Sequence, residues 1–299
     1  MHDAIVIGGG PAGLQAALTL GRMHRTVLLL DSGQYRNGTV QHMHNVIASD
    51  GTPPAEFRAT ARAQLAEYRD AEVRDLAADD VTGTEGGFTV RLSDGSAERT
   101  RRVILATGLA DDLPDVPGLG DLWGTRAFGC PFCDGHEHAG RPIAVLGAAP
   151  RAAHLIGLLG RIASSVTAYP IGAAYTDEER RMLEAAGAAV SSRAVRTVAP
   201  AGDGVSVTTD EGASTVAGVF VASGSLRQRA PFAERLGLRM LESGAIEVDD
   251  FGRTSLAGLS AAGDLAHRAA LPGPMASVIA AAAAGQLAAV GVVQSLLAE

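Results

Sequence analysis

The stretch DAIVIGGGPAGLQAALTLGRMHRTVLLLDSG, residues 3–33, decides the fold. Ala4–Ile7 is a short apolar run that ends in glycines, which is typical of a buried parallel strand. Apolar residues then recur at helical spacing from Pro11 to Leu20, and residues 26–31 form a second apolar run. This order predicts a strand, a glycine turn, a helix and a second strand, joined by a right-handed crossover.

The glycine turn of this unit carries a binding pattern. Residues 8–13, GGGPAG, form a G-x-G-x-x-G that follows the strand and opens the helix, and Asp31 ends the second strand. The glycines let backbone amides approach a pyrophosphate, the helix N-terminus favours its charge, and the acid can accept hydrogen bonds from a ribose. The pattern predicts a dinucleotide site, and Asp31 argues against a 2′-phosphate there.

The plan recurs later in the chain. Residues 141–169 contain an apolar strand at 143–146, a glycine turn, a helix at 151–160 and a strand at 165–169. Two such units predict an α/β protein with two Rossmann-like domains, each a three-layer sandwich of helices around a parallel sheet. Between them lie β-like segments with hairpin-turn candidates, the SDG of residues 93–95 and the TDEG of residues 209–212.

Composition narrows the class of protein. The 299 residues carry a net charge of −8 and show no basic cluster, which argues against a nucleic-acid partner. Residues 1 and 2 lead directly into DAIVIGGG without a basic signal region, so a cytoplasmic location is expected. In that compartment the chain's 2 cysteines are more typical of catalysis or metal binding than of a structural disulfide.

Residues 275–298 contain no charged side chain and are long enough to cross a membrane. Alanine and glycine dominate the segment, two glutamines interrupt it, and no basic or aromatic anchors flank it. A helix packed closely under a sheet or a cofactor also explains the small residues. We therefore predict a buried helix and no membrane partner.

The two cysteines lie in CPFCDGHEH, residues 130–138, and three interpretations compete. A zinc site would use Cys130, Cys133, His136 and His138, but these ligands are too close in sequence for the usual separated halves of a tetrahedral site. Two inert buried thiols fit the surrounding proline, glycine and ionisable residues poorly. A redox dithiol is favoured, because the C-x-x-C loop lowers one thiol pKa and promotes intramolecular disulfide formation.

Taken together, these motifs resemble the low-molecular-weight thioredoxin reductase family of FAD-dependent disulfide oxidoreductases. The resemblance covers nearly the whole chain, through GGGPAG, then ATG at 106–108, the C-x-x-C, the second βαβ unit and AGD at 262–264. It implies a homodimer with a discontinuous FAD-binding domain. That domain would comprise residues 1–110 and 224–299, with an inserted NAD(P)H-binding-like domain at 111–223 and hinges near 109–112 and 222–226.

The resemblance also implies which residues contact FAD. Ser277 and Val278 would lie near the isoalloxazine, and Asp264 would contact the cofactor unless it merely caps a helix. The implied contacts are Gly8, Gly10, Pro11, Ala12, Gly13, Asp31, Ser32, Asn45, Ala106, Thr107, Gly108, Gly263, Asp264, Ser277 and Val278.

The same resemblance gives roles to the dithiol segment. Cys133 would exchange electrons with the flavin, and Cys130 would exchange disulfides with the substrate. Asp134 matches the proton-transfer acid of the reductases, and His136 is a second candidate base. His138 is expected to be a solvated loop residue.

The second glycine turn departs from the reductases. Residues 147–152 read GAAPRA, so Ala149 replaces a glycine and Pro150 removes an amide donor. The arginine-rich cluster that pairs with the 2′-phosphate of NADPH is replaced by TAYPIGAAY at 167–175. These changes argue against efficient use of NADPH, although Arg151 could contact a phosphate.

The segment CPFCDGHE also resembles a branch of thioredoxin-reductase-like dithiol oxidases, as does QHMHN at 41–45. That branch implies oxidation of a small dithiol substrate with oxygen as electron acceptor, but it typically has histidine where this chain has Asp134. The histidines of QHMHN either line the substrate approach or cap a loop. The alternatives are a reductase that passes electrons from NAD(P)H or ferredoxin to thioredoxin or a small disulfide, and a flavin-bound redox sensor without turnover.

Overall fold

The computed structural model describes residues 1–84, 86–230 and 232–298. In chain order the strands are β1 (His2–Ile7), β2 (Val27–Leu30), β3 (Ala71–Arg74), β4 (Ala78–Thr84), β5 (Gly87–Leu92), β6 (Ala97–Leu105), β7 (Leu109–Asp112), β8 (Ala127–Phe128), β9 (Pro142–Gly147), β10 (Ser165–Tyr169), β11 (Ala189–Val190), β12 (Thr197–Ala201), β13 (Gly204–Thr209), β14 (Gly212–Val216), β15 (Gly218–Ala222), β16 (Ser225–Gln228), β17 (Ile246–Glu247), β18 (Leu259–Ala261) and β19 (Ala266–His267). The helices are α1 (Pro11–Arg22), α2 (Pro54–Ala66), α3 (Leu119–Leu122), α4 (Pro131–Asp134), α5 (Ala149–Leu159), α6 (Asp177–Ala185) and α7 (Val278–Leu297), with a 3-10 turn at His136–His138.

The chain forms two compact units, and each is built from separate segments. The first unit comprises Met1–Gly38, Ala55–Ala110 and Leu226–Glu299, and the second comprises Thr39–Pro54 and Asp111–Ser225. The sequence division assigned residues 39–54 to the first unit, whereas in the structure this segment belongs to the second. The difference matters because the segment contains the QHMHN motif.

The first unit contains the predicted βαβ motif. Strands β1 and β2 are parallel, and the sheet has the order β3-β2-β1-β6-β5-β4, with β18 paired to β6. Alternate residues of β1 point into different cores: Val6 packs with α1 and α7, and Ile5 packs with Phe88 on the opposite face. Burial on both faces explains why the strand reads as a continuous apolar run.

Helix α7 is the predicted long apolar helix at the C-terminus. It packs against α1 in one of the two cores of the first unit, where a methyl group on Gly285 would overlap the backbone oxygen of Ala12. This close approach explains the small residues on that face. By length and composition alone the helix could span a membrane, and on its other face Ile279 and Leu287 are exposed.

Both predicted hairpins form. Strands β5 and β6 are antiparallel on either side of the SDG turn, and β13 and β14 are antiparallel on either side of the TDEG turn. The first hairpin extends the large sheet of the first unit, while the second joins β12 in a separate small sheet.

The second unit repeats the Rossmann-like plan. Its parallel sheet has the order β11-β10-β9-β15-β8, and β9, α5 and β10 form the second βαβ motif. Cores lie on both faces of this sheet, and Phe220 and Leu159 belong to the one that holds α5. The cysteine segment follows β8 directly. The α/β fold with two Rossmann-like sheets is thus as predicted.

Candidate active site: a dinucleotide cradle and a redox disulfide

The glycine turn between β1 and α1 forms an open cradle. Gly8 has a φ of 121°, a region that favours glycine, and a methyl group there would overlap the backbone oxygen of Ala106. A methyl group on Gly13 would overlap Gly8 O, whereas a Cβ at Gly10 would meet nothing within 4 Å. Gly10 is the N-cap of α1 and has no side-chain cap. Backbone amides at this helix N-terminus therefore remain accessible to an anion.

Asp31 lies at the end of β2 and is only 2% exposed. Its Oδ1 accepts a hydrogen bond from the Gly33 amide at 2.9 Å. Its Oδ2 accepts from the Tyr35 hydroxyl at 2.6 Å and from Arg62 at 3.1 Å. A carboxylate offers about four acceptor positions, so Oδ1 retains one for a ribose hydroxyl. The sequence missed Tyr35 and Arg62, because no spacing rule links them to the acid.

The ends of β6 and β18 complete the cradle. The hydroxyl of Thr107 is buried and has no hydrogen-bond partner among the described residues. Gly263 has a φ of 87° and lies against α1, since a methyl group there would come 3.0 Å from the Cβ of Ala12. A buried polar atom without a partner beside an open glycine turn fits a cofactor that supplies the missing hydrogen bond.

Asp264 does not cap a helix. Its carboxylate forms an ion pair with Arg36 at 3.2 Å, and strand β19 separates it from α7. The actual cap of α7 is Ser277, whose hydroxyl accepts from the Ala280 amide at 3.1 Å. The helix-cap alternative for Asp264 is therefore wrong.

The structure gathers nearly all of the predicted FAD contacts in the first unit. Asn45 is the exception, because it belongs to the second unit, where its amide donates to Asp50 at 2.6 Å. The contacts that lie in the first unit are Gly8, Gly10, Pro11, Ala12, Gly13, Asp31, Ser32, Ala106, Thr107, Gly108, Gly263, Asp264, Ser277 and Val278. Open glycines, a buried acid and an unpaired hydroxyl fit FAD.

In the second unit, Cys130 and Cys133 form a disulfide with their Cα atoms 5.3 Å apart. Cys130 is the N-cap of the one-turn helix α4, in which Pro131 occupies the first turn, and its carbonyl accepts from the Cys133 amide at 3.2 Å. Phe132, between the cysteines, is 68% exposed. The C-x-x-C is thus a closed redox couple beside an exposed aromatic ring.

Asp134 is the acid next to this couple. Burial is the main cause that raises its pKa from 3.8 to about 6; the nearby Glu137 raises it further, and His44 opposes the rise. The other candidate base, His136, is exposed and makes no side-chain hydrogen bond or ion pair within the described part of the chain. The structure therefore favours Asp134 for proton transfer.

The histidines of the QHMHN segment have different environments. His42 caps its own loop, with Nδ1 3.0 Å from the carbonyl oxygen of Gly51. His44 lies between two acids: Nδ1 is 3.6 Å from Asp50 and Nε2 is 3.5 Å from Glu137. The sequence left the roles of these histidines open, and the structure separates them.

His138 differs from the prediction of a solvated loop residue. It is 9% exposed, packs against Phe128 and Phe220, and has no hydrogen-bond partner for either ring nitrogen within the described chain. Burial lowers the pKa of its imidazole. The ring lies over Gly218, where a methyl group would come 2.6 Å from its Cε1. Gly218 lies in β15, far from His138 in the chain, so the local sequence around His138 does not predict its burial.

The second glycine turn already forms hydrogen bonds with other residues of its own unit. The Tyr175 hydroxyl donates to the Gly147 carbonyl at 2.6 Å, and the Ala148 amide donates to Ser223 at 3.1 Å. Arg151 donates to the Gly224 carbonyl at 3.0 Å. The predicted phosphate contact of Arg151 thus competes with an existing hydrogen bond, and Ser223 already uses one of the turn's amides.

Comparison with known proteins agrees with this architecture. Residues 2–285 match the family described as pyridine nucleotide-disulphide oxidoreductase. The chain is 34% identical to "Thioredoxin reductase tcpT" of Claviceps purpurea, over 96% of this chain and 92% of that protein. It is similar to the crystal structure of HlmI, with 35% identity, 99% and 92% coverage and a TM-score of 0.90. An oxidoreductase from Agrobacterium tumefaciens gives 32% identity, 99% and 98% coverage and a TM-score of 0.89.

The chain therefore belongs to the pyridine nucleotide-disulphide oxidoreductase family. Within it, the protein is a thioredoxin reductase-like oxidoreductase that binds FAD and acts on sulfur groups. The predicted fold, enzyme class and cofactor are confirmed.

Proposed function

We propose that the protein is a dithiol oxidase, which forms a disulfide in a small dithiol substrate with oxygen as the terminal electron acceptor. The observation that carries this proposal is the second glycine turn, which forms hydrogen bonds with Tyr175 and Ser223 and whose Arg151 donates to Gly224 of the same unit. A nicotinamide dinucleotide needs that turn for its pyrophosphate. A turn occupied in this way disfavours electron transfer from a nicotinamide coenzyme, so a thiol is the proposed electron source.

The region after β10 supports the same direction of electron flow. Where a reductase needs arginines for the 2′-phosphate, α6 begins with Asp177, Glu178 and Glu179. The Thr176 hydroxyl and the Glu179 carboxylate form a capping box that fixes this acidic turn. These carboxylates disfavour a dianionic phosphate at the start of the helix, because its charge has the same sign as theirs, while two arginines follow them in the same helix.

The cysteine pair carries the proposed reaction. A substrate thiolate attacks Sγ of Cys130, the Cys130–Cys133 bond breaks, and Cys133 leaves as a thiolate that takes the proton of Asp134. The second substrate sulfur then attacks the mixed disulfide, which releases Cys130 and the oxidised substrate. Two electrons and, overall, two protons pass to the cysteine pair. Bound FAD supplies the acceptor for this electron pair.

The second candidate is a thioredoxin reductase, in which the same exchange runs in the opposite direction. The Claviceps purpurea relative, which is named a thioredoxin reductase, favours this alternative. In this alternative the partner is thioredoxin or another disulfide, and the electrons come from NAD(P)H or ferredoxin. The proposed oxidase and this reductase share the disulfide and the flavin, so only the electron source separates them.

An anaerobic stopped-flow experiment tests the proposal. Oxidised protein is mixed with NADPH, NADH or dithiothreitol, and the flavin absorbance is followed. We expect bleaching by dithiothreitol alone, and one hydrogen peroxide per dithiol when air is admitted. Rapid bleaching by NADPH or NADH would overturn the oxidase and support the reductase.

The control for this experiment is Cys133→Ser. Since Cys133 lies in the second unit and the FAD cradle in the first, this variant should retain its yellow colour. It should lose dithiol-driven bleaching, because the remaining Cys130 cannot form the intramolecular disulfide that accepts electrons from the dithiol. Undiminished bleaching would remove Cys133 from the electron path.

A further inference from the structure

The 39–54 segment holds His44 in a defined position. Met43 closes the loop through two backbone hydrogen bonds, one to Thr52 O at 3.0 Å and one from the Gly51 amide at 2.9 Å. Inside it, the Asp50 carboxylate accepts from the Asn45 amide at 2.6 Å. Asp50 is thus fixed to the loop backbone, with Oδ2 3.6 Å from Nδ1 of His44.

The other ring nitrogen of His44 faces the dithiol segment. Its Nε2 lies 3.5 Å from Oε1 of Glu137 in the 3-10 turn that follows α4. Helical hydrogen bonds continue from α4 into this turn, since the Gly135 amide donates to Pro131 O and the His138 amide to Gly135 O. Asp134 and Glu137 are three residues apart on this helical path and share one side of it.

We propose that His44 is a positioning residue for the Cys130–Cys133 couple. With Glu137 it sets the proton affinity of Asp134, so a histidine from a separate segment controls proton delivery to the leaving sulfur. The proposal rests only on the thiol–disulfide exchange that both candidate functions share.

The charges of His44 and Glu137 act in opposite directions on the ionisation of Asp134. A protonated His44 favours the ionised carboxylate of Asp134, and an ionised Glu137 disfavours it. Asp50 also faces His44 from its own loop, with Oδ2 3.6 Å from Nδ1. Loss of His44 should therefore raise the pH at which Asp134 gives up its proton, and loss of the Glu137 charge should lower it. A purely structural role would not give shifts of opposite sign.

The experiment compares His44→Gln with Glu137→Gln. Oxidised holoprotein is mixed anaerobically with dithiothreitol between about pH 5 and pH 8, quenched with N-ethylmaleimide, and analysed by intact mass and flavin absorbance. Alkylated cysteine pairs plus bleached flavin count the electron pairs accepted. Each rate is divided by the dithiothreitol thiolate concentration, so that the remaining pH dependence belongs to the protein.

We expect the normalised rate to fall as pH rises, because the leaving thiolate needs the protonated form of Asp134. The midpoint of that fall should move up by roughly 0.5–1 pH unit in His44→Gln and down in Glu137→Gln. The matched control is His42→Gln, which removes the neighbouring histidine that contacts Gly51 O and should leave the midpoint unchanged.

Equal midpoints in all proteins, or shifts of the same sign in both variants, would overturn the role of His44. The cysteine count reports exchange even if the flavin is not bleached. A failed oxidase function would appear as rapid flavin bleaching by NADPH or NADH in the mixing experiment above, with normal midpoint shifts here, which is a different result from a failed His44 proposal.

Discussion

Asp134 combines a half-buried carboxyl with a place next to the reactive sulfur. Burial raises its pKa to about 6, so the group holds a proton in a range where an ordinary aspartate is ionised. A carboxylic acid of this kind can donate a proton to a departing thiolate near neutral pH and recover it from solvent. The same shift has a consequence for stability.

Asp134→Asn should stabilise the protein at neutral pH but not in acid. The folded state binds the proton of Asp134 more tightly than the unfolded state, since the pKa rises from 3.8 to about 6. The stability that this carboxyl contributes is therefore complete below about pH 4 and is lost as pH rises through about 6. The neutral amide loses nothing over this range. The melting temperature of the variant should exceed that of the parent at pH 7.5, and the gap should close towards about pH 4.

The control is Asp115→Asn, which removes an exposed carboxylate from the same unit. A gap that stays constant with pH, or one that appears for Asp115→Asn as well, would show that the raised pKa is not the cause.

Residue environments were the least predictable feature from sequence. The identity of Cys130, Cys133 and Asp134 follows from a local motif, because a short loop fixes their spacing. The burial of His138 depends on Gly218 in a distant strand, and the setting of His44 depends on Glu137. Contacts between segments far apart in the chain produce no local periodicity in the sequence, so they cannot be predicted from it.

At the scale of elements, the two βαβ units could be predicted because their apolar periods and glycine turns are local. The helix of the second unit was expected at 151–160 and lies at Ala149–Leu159, so its start differs by two residues and its end by one. The closure of the second turn by Tyr175 and Ser223 could not be predicted, because those residues follow other strands. The small residues of α7 predicted close packing of this helix, but they did not identify α1 as the element against which it packs.

Gly285→Ala should destabilise the protein although alanine is the better helix former. A methyl group at this position would overlap Ala12 O, so α7 and α1 would have to move apart. Overpacking of this kind costs about 1–3 kcal/mol, which should lower the urea midpoint. Because Ala12 belongs to the glycine turn, FAD should also dissociate faster.

The matched control is Gly157→Ala in α5. Gly157 is exposed, and a Cβ there would meet nothing within 4 Å, so the substitution should stabilise by up to about 1 kcal/mol. Urea unfolding followed by circular dichroism measures both changes. Similar midpoints for the two variants would contradict the close packing of α7 on α1.

At the scale of the whole molecule, one topological plan serves two purposes. The first unit keeps an open turn, a buried acid and a threonine hydroxyl with no partner in the described structure, all suited to FAD. The second unit keeps the parallel sheet and the helix but ties its turn to Tyr175 and Ser223. The proposed oxidase uses this second Rossmann-like unit to carry the cysteines rather than a coenzyme.

Hydrogen exchange can test this asymmetry in a single protein. Adding FAD to flavin-free protein should slow amide exchange in peptides covering α1 and the end of β6, by roughly a hundredfold at saturation. Adding NADPH to the holoprotein should leave peptides covering residues 147–160 unchanged, because the Ala148 amide already donates to Ser223 and Pro150 has no amide hydrogen to offer. Mass spectrometry reads both turns in the same digest, so the FAD response serves as the positive control. Slower exchange at 147–160 with NADPH would mean that the turn opens for the coenzyme, and electron flow towards thioredoxin would then become the better account.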